Sequence, residues 1–154
     1  MLGHKLFNFL FKTPLKPYMA TQLANPRGLM GRWAAWAMNR SNRELSLWAL
    51  EKLELTRQDH VLELGFGGGP VLQDLLDRAH RVEGLDQSRD RVVAAMDRFE
   101  TAMSKGKLFV GEGDLMDLPF APNAFHAALS VNTVYFWPDA EQGAREFFRV
   151  LRPG

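Results

Sequence analysis

A doubly wound, parallel α/β sheet is the fold class this sequence predicts, and three observations predict it. First, a short apolar run, Val61 to Leu64, leads straight into Gly65, Gly67, Gly68, Gly69 and Pro70, and then into Val71, Leu72, Leu75 and Leu76 at helical spacing. Strand, glycine turn and helix start in that order form the ligand-side corner of such a fold. Second, short apolar runs and helical patterns alternate from there onward, which predicts parallel strands joined by right-handed crossovers. Third, the acidic residues with chemical potential (Glu63, Asp86 and Asp114) each fall at the carboxyl end of an expected strand, where open α/β sheets bind ligands.

Composition allows this fold and excludes several functions. A chain of 154 residues is one domain's worth, and 46% hydrophobic with 24% charged residues is ordinary for a globular protein. The absence of cysteine rules out disulfides, thiolate catalysis and cysteine-bound metal, and fits a cytoplasmic, reducing setting. His4, His60, His80 and His126 are scattered without metal-ligand spacing, so no metal site is expected.

Charge divides the chain. Residues 1–43 hold Lys5, Lys12, Lys16, Arg27, Arg32, Arg40 and Arg43 with no acid, leaving 12 of the 19 basic residues and all 18 acidic ones to residues 44–154. The expected organisation is therefore a basic, partly helical N-terminal arm over 1–43 and an α/β domain over 44–154. Two readings of the arm stand: a weak contact with a membrane surface, or a basic helix packed on an acidic domain. Leu6, Phe7, Phe9, Leu10 and Phe11 form a run far shorter than the ~20 residues of a membrane span, and no small-residue cleavage site for a signal peptide follows.

The elements come in order. Leu29–Met38 and Asn42–Leu55 have helical periodicity, the second with Ser41 or Asn42 as cap. Trp33, Trp36 and Trp48 lie on these helices, either lining an acceptor pocket or packing as core. Pro70 suits a first helical position, where its missing N–H costs nothing. Arg81–Leu85 is the second strand, ending at Asp86. A helix runs from Ser88, its cap, to Met103, with Val92, Val93, Met96 and Phe99 on one face. Leu108–Val110 opens the third strand, Gly111–Asn123 is a loop, and Phe125–Val131 is a fourth, strongly apolar strand. Glu141–Leu151 closes as a helix before Pro153 and Gly154.

The glycine spacing selects the ligand. A dinucleotide corner needs G-x-G-x-x-G, and its third glycine would fall at Pro70. The pattern present is Glu63-x-Gly65-x-Gly67-x-Gly69. A carboxylate there suits a cationic ligand and sits poorly beside a pyrophosphate. Gly84-Leu-Asp86-Gln-Ser88, Gly113-Asp114-Leu115 with Leu118-Pro119-Phe120, and Arg149-Val-Leu-Arg-Pro-Gly154 follow in order.

Together these segments resemble the class I S-adenosylmethionine-dependent methyltransferases, in particular small-molecule enzymes related to those of quinone biosynthesis. The resemblance covers residues 59–154. It implies a Rossmann-like domain, here incomplete with strands 1–4 of seven, and S-adenosylmethionine as cofactor. It also implies a small-molecule acceptor and no nucleic-acid partner. By the same resemblance Glu63, Gly65, Phe66, Gly67, Gly69 and Gln87 bind the cofactor. Asp86 takes the ribose hydroxyls, Asp114 and Leu115 the adenine, and Asn132 reaches the cofactor or acceptor, while Trp33, Tyr135 and Trp137 stand as acceptor-binding residues. Tyr135, Phe136 and Trp137 could equally be core. Asn132 and Tyr135 keep the outer spacing of an N-P-P-Y motif whose prolines are Thr133 and Val134 here. His126 stands where the family usually has aspartate and reads as a surface residue.

The family continues with a fifth strand beside the fourth. The expectations left open are a longer protein, or cover for that edge by a second copy of the chain or by the N-terminal arm. A catalytic base is not assigned. The alternative functions are a non-catalytic S-adenosylmethionine-binding remnant and an NAD-linked oxidoreductase.

Overall fold

The computed structural model describes residues 43–154. The basic arm up to residue 42, the helix expected over Leu29–Met38 and Trp33 lie outside the described residues.

The described chain opens with a helix over residues 43–52 (α1). The order is then β1 (His60–Leu64), α2 (Leu72–Arg78), β2 (Arg81–Asp86), α3 (Arg89–Arg98), α4 (Glu100–Ser104), β3 (Leu108–Glu112) and β4 (Ala127–Leu129). A single 3-10 turn (Val134–Phe136) and α5 (Ala140–Val150) complete it. All strand pairs are parallel, and the sheet order is β3-β2-β1-β4. The chain moves outward from β1 to β2 to β3 and then returns to the other side of β1. The direction of winding therefore reverses between β1 and β4, the place where such sheets bind ligands.

Each face of the sheet carries its own core, as expected of a parallel sheet covered on both sides. Val61, Val82, Leu108 and Val110 pack with Val71, Leu72, Leu75, Val92 and Phe99 on one face. Leu62, Leu64 and Leu85 pack with Leu115, Leu118, Phe125 and Val150 on the other. Alternation along β1 assigns these faces: Val61 belongs to one, Leu62 and Leu64 to the other. By the same alternation Glu63 shares the face of Val61. In α2, Leu72, Leu75 and Leu76 are buried at the i, i+3, i+4 spacing.

The structure corrects several boundaries. The helix expected from Ser88 to Met103 is two helices, divided at Phe99, whose φ of −112° and ψ of 20° leave the helical region. Its ring is 5% exposed and sits in the core beneath the glycine turn. Pro70 precedes the cap residue Val71 of α2 and is not its first helical residue. Gly69, closing a turn onto the Phe66 carbonyl, delays the helix start. Ser88 occupies the cap position of α3, yet its side chain makes no cap bond. Asp139 does cap α5, accepting from the amides of Glu141 and Gln142.

β4 is shorter than the expected Phe125–Val131 because Phe125 turns its main chain outward. Its N–H donates to the Val150 carbonyl and its carbonyl accepts from Arg152 N–H, bridging Phe125 to Leu151 in parallel. Among the described residues no strand lies beyond β4. Among them, too, no helix is long and apolar enough to cross a membrane.

Candidate functional site

The glycine turn after β1 is held in a conformation few other residues adopt. Gly65, Gly67 and Gly69 have φ of 69°, 58° and 65°, the left-handed region open to glycine. Gly65 N–H donates to the Leu85 carbonyl at 2.7 Å, and Gly69 N–H to the Phe66 carbonyl at 2.8 Å. The turn is thus tied to the end of β2 before any ligand is considered.

Asp86 carries that connection further. Its Oδ2 accepts from Gly67 N–H at 2.8 Å and its Oδ1 from Ser88 N–H at 2.9 Å. Each oxygen, with one amide donor, keeps a lone pair for a ligand. On its other side, the Asp86 carbonyl accepts from Gly113 N–H at 3.2 Å, placing Asp114 next along the edge. Asp114 is exposed, with Oδ1 taking the Met116 amide at 2.9 Å. An open cleft of about 370 Å³ is lined by Gln87, Glu112, Gly113 and Asp114. A larger hollow of about 570 Å³, on α3 and α4, contains none of the expected site residues.

Glu63 is the unusual member. It is the penultimate residue of β1, only 7% exposed, and its Oε2 is buried with no hydrogen-bond partner. Burial first, then the negative charges of Asp86 and Asp74, push its carboxyl up to about 8. A buried, unpaired acceptor is costly unless something donates to it.

The other expected residues divide into two groups. Phe66 is 2% exposed with its ring against Gly84, and Leu115 is 6% exposed in the opposite core. Their side chains pack, leaving only main chain for a ligand. Asn132 is half-buried in the loop after β4, with φ of 59°. Trp137 lies against α5: its ring stacks on Phe147 at 5.8 Å and meets Gly143, and its Nε1 donates to Thr133. Tyr135 belongs to the 3-10 turn, and its side chain is outside the described part of the structure. His126, immediately before β4, is exposed with its Nδ1 accepting from His60 N–H at 2.9 Å. It stands at the opposite end of the sheet from the glycine turn.

Sequence reasoning missed three groups of contributors. Ser130 Oγ donates to the Leu64 carbonyl at 2.9 Å, so Thr133 Oγ1 donates to Ser130 and accepts from Trp137 Nε1 at 3.1 Å. That chain fastens the loop after β4 to the end of β1. From α3, the Arg91 guanidinium lies over Gly67, and Arg98 donates to the Gly68 carbonyl at 3.3 Å. Arg149 grips Glu146 through two bonds of 2.7 Å and donates to the Leu118 and Phe120 carbonyls, holding the Leu118-Pro119-Phe120 segment. The Glu146–Arg149 spacing is a visible helical ion pair, whereas nothing in the sequence marks Thr133.

Residues 61–154 match the family described as a methyltransferase domain. The uncharacterized methyltransferase YdaC of Bacillus subtilis is 31% identical over 79% of this chain and 66% of its own. The chloroplastic 2-methyl-6-phytyl-1,4-hydroquinone methyltransferase 2 of Oryza sativa is 35% identical over 69% of this chain and 30% of its own. The chain therefore spans a little under two thirds of the first of these and under a third of the second. The crystal structure of YcgJ from Bacillus subtilis superposes with a TM-score of 0.62 over 73% of this chain and 47% of YcgJ, at 22% identity, a likeness of fold.

Proposed function

The chain belongs to the methyltransferase-domain family, and on that premise we propose that it passes a methyl group from S-adenosylmethionine to a small-molecule acceptor by in-line displacement. The cofactor supplies an already activated methyl on its sulfonium, so the protein's work is alignment and exclusion of water.

The observation that carries this reading is the buried, unpartnered Oε2 of Glu63, beside the glycine turn that Asp86 braces. A cationic ligand bearing an ammonium and a sulfonium fits such a carboxylate, and a pyrophosphate does not. In this reading Asp86 receives the ribose hydroxyls on its free lone pairs and Asp114 accepts from the adenine amine. Gln87, with Glu112 and Gly113, walls the cleft. The NAD-linked alternative gives way to the family match and to Pro70, which stands where a dinucleotide corner needs its third glycine.

An apolar, aromatic acceptor suits the loop after β4, where Val134 and Phe136 are 49% and 62% exposed. The activity for which the rice relative is named, on a phytyl hydroquinone, supports the same class.

Thermal shift separates the cofactors: S-adenosylhomocysteine should raise Tm, and NAD should not. Asp86→Ala should weaken S-adenosylhomocysteine binding by about 1.5–3 kcal/mol, the worth of hydrogen bonds to a charged group. Unchanged affinity in calorimetry would remove the ribose role. Incorporation of labelled methyl into a hydroquinone panel tests the acceptor class.

A further inference from the structure

We propose that Glu63 carries a proton in the ligand-free protein and releases it when the ammonium of the cofactor arrives, so that cofactor binding is coupled to pH. The inference rests on the cofactor reading above and adds a regulation to that site.

Two carboxylates share this corner, and their surroundings separate their roles. Asp86 accepts two main-chain N–H groups, from Gly67 and Ser88. Glu63 Oε2 is buried with no donor at all, so a second negative charge here would be both desolvated and repelled. The proton therefore resides on Glu63. Burial, then Asp86, then Asp74 push its carboxyl up to about 8, placing the ligand-free group in the neutral form at pH 7.

The surrounding charges agree. Asp86 faces it from β2 and Asp74 from α2, both negative. Asp74 is already paired with Arg43 of α1 at 3.1 Å. β4 presents Leu129 opposite Glu63 and no charge. From α3 the Arg91 guanidinium lies over Gly67, and Arg98 donates to the Gly68 carbonyl. An incoming ammonium supplies the donor that is missing, the O–H bond of Glu63 breaks, and its proton passes to the buffer.

The test is calorimetric titration of the 154-residue chain with S-adenosylhomocysteine at pH 6.5, in two buffers of unlike ionisation enthalpy. The expected result is release of about one proton per ligand, with affinity rising by up to about tenfold per pH unit towards pH 8 and levelling there. 5′-Methylthioadenosine keeps the adenosine contacts but lacks the ammonium, and should release none. Glu63→Gln should bind S-adenosylhomocysteine with no release and a flat pH profile. Should that variant fold poorly, carboxyl NMR of glutamate-labelled native protein gives the same answer: one protonated glutamate at pH 6.5 that ionises on ligand addition. S-adenosylhomocysteine binding without proton release, or equal release with methylthioadenosine, overturns the coupling and spares the cofactor reading. No binding of S-adenosylhomocysteine at any pH overturns both.

Discussion

At Gly65 two demands meet in one residue. Its φ of 69° disfavours any side chain, and a Cβ built there would come within 2.5 Å of Thr133 Cγ2. Gly65→Ala should therefore destabilise the protein by roughly 1–3 kcal/mol, since backbone strain and the clash add. Gly68 is the control within the same turn: nothing lies within 4 Å of a Cβ there, so Gly68→Ala should stay within about 0.5 kcal/mol. Urea unfolding of the two variants decides whether the first glycine is kept for packing as well as for a ligand. Equal losses would show that Thr133 does not press on the turn. The sequence marked Gly65 as a ligand-side glycine, and its second role became visible only through a residue 68 positions away.

At the scale of elements, α5 organises a loop that the sequence assigned only to adenine. Arg149 binds Glu146 at both oxygens and two carbonyls of the Leu118–Phe120 segment, while Glu146 Oε2 also accepts the Leu118 amide at 2.8 Å. Its guanidinium geometry matches a carboxylate in bidentate fashion, which a lysine cannot reproduce. Arg149→Ala should cost about 2–3 kcal/mol by denaturant unfolding and speed amide exchange at Leu118. Arg145→Ala, which removes an exposed i,i+4 pair with Glu141 on the same helix, should cost less than about 0.5 kcal/mol. Similar losses from both would mean that the latch is no stronger than a surface pair. The helix that follows β4 is thereby joined to the loop that follows β3, two segments separate in the sequence.

For the whole molecule, two carboxyl groups shape stability against pH from opposite sides. The Arg149 bonds hold Glu146 below the usual carboxylate range. Its contribution is present above about pH 4.5 and is lost as pH falls through the folded value. Glu63 is raised to about 8, so its contribution is greatest below the ordinary glutamate value and declines as pH rises towards 8. Ligand-free protein should accordingly lose stability between about pH 5 and 8 and hold steady just above it. Glu63→Gln should abolish that decline, leaving the variant roughly 2–4 kcal/mol more stable than the native chain at pH 8.5. Urea midpoints across pH 4 to 9 check both arms. Parallel curves for native and variant chains would take the alkaline decline away from Glu63.

What the sequence determined by itself was whatever is local and periodic. The run Val61 to Leu64 before a cluster of glycines, the alternation of strand and helix, and an acid at the end of each of the first three strands suffice for a parallel doubly wound sheet, because periodicity and turn chemistry are properties of neighbouring residues. Tertiary structure decided the rest. It divided the helix at Phe99, turned Trp137 onto α5, spent Asp86 on the Gly67 and Ser88 amides, and left Glu63 Oε2 buried without a donor. Burial, and the partners a group finds or lacks, depend on which distant segments the fold brings beside it. No spacing along one segment contains that information.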